Sequence, residues 1–109
     1  MTGFSDQLRK ILLNPDAKLR DEELFGLVER VADKSPDTAV EAAKSIGELY
    51  KRGWALLLCV KALVNIDMDK AHEVAALIED EYNQHRARHT IEFTEAKKKK
   101  GGGFDPKWN

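Results

Sequence analysis

Residues 54–64 read Trp-Ala-Leu-Leu-Leu-Cys-Val-Lys-Ala-Leu-Val, and Lys61 is the only charge among them. By periodicity alone, so apolar a run fits either a buried strand or a buried helix. Its leucines and alanines favour the helix. A helix that is apolar on nearly all sides belongs at the centre of a bundle, packed on several neighbours. The run is far shorter than the roughly 20 residues a bilayer span requires, so no membrane partner is expected.

The segments on either side carry helical spacing. Upstream, Ala39, Val40, Ala43, Ile46 and Tyr50 form one stripe. Ser35 and Pro36 are placed to start that helix and Gly53 to stop it. Before it, Leu24, Leu27, Val28, Val31 and Ala32 form another, with Asp21 as the expected N-cap and Glu22 and Glu23 in its first turn. The first stripe is Phe4, Leu8, Ile11 and Leu12, capped by Thr2 or Ser5 and ended by Asn14-Pro15. Downstream, Asn65-Ile66-Asp67 is a break with Asp67 as cap. One long polar helix is then expected through Ala71, Val74, Ala75, Ile78, Tyr82 and His85 to about Arg88. Thr90 to Thr94 alternates with period two and fits a short extended segment or a further helical turn.

These stripes predict an all-α fold: a single domain of about five helices, paired as antiparallel hairpins. An internal repeat of 32 residues is also expected. Shifting residues 22–50 by 32 places them on 54–82 with 8 of 29 positions identical, among them Leu24/Leu56, Val28/Val60, Asp37/Asp69, Ile46/Ile78 and Tyr50/Tyr82. Stacked helical hairpins have periods of this size, each burying its apolar face on the next.

The chain has 109 residues, enough for one core. Its 18 Lys and Arg against 19 Asp and Glu leave a net charge of −1, which gives no global attraction to nucleic acid or to an anionic membrane. The charge is unevenly placed, because residues 85–109 hold 7 basic against 3 acidic side chains. Two regions are therefore expected: a helical body over 1–94, and a basic, glycine-rich tail over 95–109 with an aromatic end. The start lacks the basic-then-apolar layout of a signal peptide, and a single cysteine suits a reducing compartment, so a cytoplasmic location is expected.

Catalytic and cofactor chemistry find no foothold. No glycine-rich phosphate loop or nucleophile turn is present. Cys59 sits in the most apolar helix and reads as core. Glu81, His85 and His89 are spaced four apart, so neighbours could share a metal ion. All three cannot, because eight helical residues rise about 12 Å while metal bonds are about 2 Å. His85 and His89 are thus weak metal candidates, no metal or cofactor is expected, and the chain is expected not to be an enzyme.

The remaining signal is interaction. Lys97, Lys98, Lys99 and Lys100, followed by Phe104, Pro106 and Trp108, form the candidate partner-binding tail, since Trp is a frequent interface anchor. The expected function is a non-enzymatic protein-interaction module, such as an adaptor, assembly subunit or inhibitor, using a helical face, the tail, or both. Homo-oligomerisation would add buried area to so small a body. Two other readings compete. One is an accessory of a nucleoprotein complex whose lysines contact RNA or DNA. The other is a pH- or metal-responsive regulator acting through His85 and His89.

Overall fold

Caps divide the chain more finely than the apolar stripes do. The computed structural model describes residues 3–102, with side chains through 98. These residues form six α-helices and no strand: α1 (Phe4–Leu12), α2 (Ala17–Val31), α3 (Pro36–Lys44), α4 (Leu49–Leu63), α5 (Met68–Ala75) and α6 (Glu81–Gly102). None of them is long and apolar enough to cross a membrane.

The sixth helix arises because the expected last helix is two. Ala75 ends α5, and Asp80 starts α6 by accepting the Asn83 N–H at 2.9 Å. Between them Ile78 turns inward and is buried. The Ile78 carbonyl, freed from helical pairing, accepts the Gln84 side-chain amide at 3.1 Å. Other expected boundaries also move. The N-cap of α2 is Asp16, which accepts the Leu19 N–H at 3.1 Å. Asp21 lies inside the helix and accepts the N–H groups of Gly47 and Glu48, tying α2 to the loop before α4. Gly53 does not stop α3, which ends at Lys44. It lies within α4, where a Cβ would overlap the Asp80 carboxylate, so only glycine lets α6 start this close. The N-cap of α1 is Gly3, and Ser5 is helical, while Thr2 lies outside the described residues. Asp67 caps α5 as expected, accepting the Lys70 N–H at 3.1 Å. Thr90 to Thr94 is helical, and α6 continues past residue 95 through the lysines to Gly102.

The odd- and even-numbered helices each begin at 32-residue intervals: Phe4, Pro36 and Met68, then Ala17, Leu49 and Glu81. A polar tie recurs at the same interval. Arg20 donates to the Asn14 carbonyl at 2.8 Å, Arg52 to Ile46 at 3.0 Å, and Gln84 to Ile78 at 3.1 Å. Each fastens the turn between the two helices of one hairpin.

The core lies around α4, which packs on α2, α3, α5 and α6. It buries Ala55, Leu56, Leu57, Cys59, Val60 and Leu63 against Leu24, Leu27 and Val28 of α2 and Ile46, Val74 and Ile78. Each large aliphatic side chain buried this way contributes about 1.5–3 kcal/mol. The central position expected for residues 54–64 is therefore observed, although Trp54 remains 45% exposed, Lys61 is exposed and Leu58 and Ala62 are half-buried. The helix α1 has no fully buried residue. It lays Phe4, Leu8 and Ile11 half-buried on the core.

Contacts advance together along α2, α4 and α6. Phe25 meets Trp54, and further on Glu29 and Asp33 lie beside Leu58 and Ala62. Tyr50 meets Tyr82, and further on Lys61 lies beside His89 and Thr90. The even-numbered helices therefore form a layer of three running in one direction. Their inner sides face the core and their outer sides face solvent.

Candidate functional site

Large apolar side chains left in water are informative only when they cluster. On the outer side of the α2–α4–α6 layer they do. Phe25 and Trp54 are edge-to-face, with centroids 5.6 Å apart. Trp54 and Tyr50, one turn apart on α4, are also edge-to-face at 6.1 Å. Tyr50 stacks on Tyr82 of α6 at 6.1 Å with the planes 25° apart. The Arg86 guanidinium carbon lies 5.4 Å from the Tyr82 ring centre, within cation–π range. The result is one continuous aromatic strip across three helices. Tyr50, Trp54 and Tyr82 keep 42%, 45% and 58% of their surface in solvent.

The helix layer holds the strip in place. Tyr50 and Trp54 share α4, whose start is fixed by Glu48. That carboxylate accepts the N–H groups of Tyr50 and Lys51 at 2.9 and 2.8 Å. Arg52 then locks two turns at once, donating to Ile46 and Gly47 carbonyls and pairing with Glu79 at 2.7 Å. On α6, Asn83 is fully buried and donates to Asp80 at 2.9 Å and to the Tyr50 carbonyl at 3.4 Å, which holds Tyr82 beside Tyr50.

Charge is divided across this face. Below the strip, α2 contributes Glu29 and Asp33 to a hollow shared with Leu58 and Lys61. On the other side of α4, Lys61 shares a second hollow with His85, Arg86 and His89, and among the described residues no acidic side chain lines it. The α2 flank is acidic and the α6 flank basic.

His85 and His89, the metal candidates, lie in that basic hollow. Two neighbouring cations oppose binding of a metal ion there. Among the described residues no three His, Cys, Asp or Glu side chains are grouped to hold one. Glu81 is exposed at the start of α6. His72 belongs to a different place, with its Nε2 2.9 Å from Glu95 across α5 and α6. Cys59 is buried, and burial pushes its thiol up to about 12, so it stays protonated and unreactive at neutral pH.

Of the expected tail residues, Lys97 and Lys98 are exposed on α6. Lys98 Nζ donates to the Val64 carbonyl at 3.0 Å, a cation on the C-terminal end of α4. The side chains of Lys99 and Lys100, and Phe104, Pro106 and Trp108 entirely, lie outside the described residues. Sequence reasoning assigns Tyr50 and Tyr82 to apolar stripes and Trp54 to the core, and so misses the strip. The available signal is their spacing of 32, which puts the two tyrosines at matching places on adjacent helices.

The two ends of the helix stack differ from its middle. Val40, Leu56 and Val60 are buried, whereas the residues 32 positions later, His72, Arg88 and Glu92, line an open hollow between α5 and α6. Likewise Ala39, Ala42 and Ala55 are buried, whereas the residues 32 positions earlier, Gln7, Lys10 and Glu23, line an open hollow between α1 and α2.

Comparison with protein-family models, curated proteins and solved structures finds no match for this chain.

Proposed function

We propose that this chain is a short α-α repeat module that binds a protein partner and performs no catalysis. Its unit is a 32-residue helical hairpin occurring three times, as α1–α2, α3–α4 and α5–α6. The common interval of helix starts and of the Arg20, Arg52 and Gln84 ties supports this reading. The middle unit is apolar on both sides. The outer units carry Gln7, Lys10 and Glu23 at one end and His72, Arg88 and Glu92 at the other, as terminal units of a stack must to remain soluble.

The observation that carries the interaction reading is the aromatic strip. Trp, Tyr and Arg are the residues that most often dominate binding energy at interfaces. Their rings offer large area at low conformational cost. Here they stand in one row, half in solvent, on a rigid helix layer.

Photo-crosslinking tests the reading. A photoreactive residue replacing Trp54 or Tyr82 is expected to form protein adducts in the native cell. The same residue at Lys10 or Arg88, on the two ends, is expected to form few. Equal labelling at all four positions, or none on the strip, would overturn the assignment.

A second reading has one observation in its favour. Lys61, Arg86, His85 and His89 lie beside Tyr82, and single-stranded nucleic acid uses cations next to stacking rings. That reading requires affinity for single-stranded RNA or DNA that falls steeply with salt and is lost in Arg86→Ala.

A further inference from the structure

From the charge pattern of the strip we infer that its occupant is a second copy of this chain, docked face to face about a two-fold axis along α4. This rests on the reading of the strip as a docking surface and names its partner.

The strip differs in charge from one flank to the other. Tyr50, Trp54 and Leu58 of α4 run along its centre. At the level of Lys61, α2 offers Glu29 and Asp33, and α6 offers His85, Arg86 and His89. A two-fold axis along α4 lays the α2 of one copy on the α6 of the other. Each acidic flank then meets a basic flank, twice, and the aromatic centres meet each other. An axis crossing the helices at that level would place α2 on α2 and α6 on α6 with like charges opposed, whereas the axis along α4 sets only Lys61 against its own copy, so the charges at that level favour the first arrangement. A closed two-fold contact also uses the same patch on both copies and leaves no surface for further growth. The polar ends of the stack keep copies from adding end to end.

Helices of 15 residues are about 22 Å long, and three of them about 9 Å apart present a face of roughly 600 Å². Two copies bury about 1,200 Å², at the lower limit of specific interfaces. Interfaces at this limit include weak, transient ones, so the dimer is sought at micromolar concentrations and above.

Sedimentation equilibrium of the full chain, from low micromolar to several hundred micromolar, tests this. The wild type is expected to pass from monomer to dimer and no further. Arg86→Glu and Glu29→Arg are each expected to weaken the dimer roughly tenfold or more. Their combination is expected to restore it, because the exchanged charges again face opposite charges across the two-fold axis. Trp54→Ala is expected to abolish dimerisation while the helical circular dichroism is kept. A monomer at every concentration would overturn the second-copy inference alone, and the docking surface would stand or fall by crosslinking. A dimer that survives Trp54→Ala, or charge swaps that fail to compensate, would overturn this face-to-face dimer, and crosslinking at Trp54 and Tyr82 would still decide the docking surface.

Discussion

Leu56 on α4 and Arg88 on α6 stand 32 residues apart at matching places on two parallel helices, and their surroundings differ completely. Leu56 is sealed in the core, while Arg88 lines an open hollow. The same holds for Val40 against His72 and Val60 against Glu92. The α3–α4 hairpin is covered on both sides, and the α5–α6 hairpin on one. A residue type that stabilises a covered hairpin would leave an apolar patch on an end hairpin. Positions 32 residues apart thus take apolar side chains where they are covered and polar ones where they are open.

Four measurements break or sharpen this contrast. Leu56→Ala empties a filled site and is expected to cost about 3–4 kcal/mol in chemical denaturation. A loss below about 1 kcal/mol would show that the middle hairpin is not the packed one. Gly53→Ala drives a methyl group into the Asp80 carboxylate and is expected to cost about 2 kcal/mol. Its counterpart Asp21→Ala loses two hydrogen bonds to the α3–α4 turn instead, with a cost of about 1–2 kcal/mol.

The third is a pH dependence. Burial raises the Cys59 thiol from 9.0 to about 12 in the folded chain. Its contribution is complete below pH 9 and is lost as the pH rises toward 12, because the unfolded chain ionises first. Stability at pH 10 is expected to fall by about 1.4 kcal/mol relative to a Cys59→Ala reference. Thiol reagents should react only as fast as the chain unfolds. The smallest effect belongs to Arg88→Ala, expected within about 0.5 kcal/mol of wild type. A large loss there would mean that the α5–α6 end is covered after all.

Much of the helical body is legible in the primary structure. The apolar run through Ala55, Leu56, Leu57, Cys59, Val60 and Leu63 goes inside, and Asp67 caps α5 by local chemistry alone. The boundaries that fail do so for tertiary reasons. Asp21 has the residue type of a cap, but its carboxylate reaches across to the N–H groups of Gly47 and Glu48. Gly53 has the residue type of a stop, but it makes room for Asp80. The split at Ile78 is hidden because Ile78 continues the apolar spacing while turning out of the helix. The lysine run reads as tail on charge, yet α6 carries through it, with Lys98 on the end of α4.

The candidate site divides the same way. Local rules read each aromatic as a core residue, because Tyr50 and Tyr82 fall on helical stripes and Trp54 opens the most apolar segment. Periodicity reports which residues share a side of one helix. It does not report which sides two neighbouring helices leave uncovered. Composition and spacing by themselves determined an all-helical chain with a central α4, since leucines and alanines favour helix over strand and burial of Leu56, Leu57 and Val60 draws that helix inside. Only the packing of α2, α4 and α6 side by side decided that Phe25, Trp54, Tyr50 and Tyr82 would line up in one row, because its contacts between helices join residues 29 and 32 positions apart, beyond the reach of one helix's periodicity.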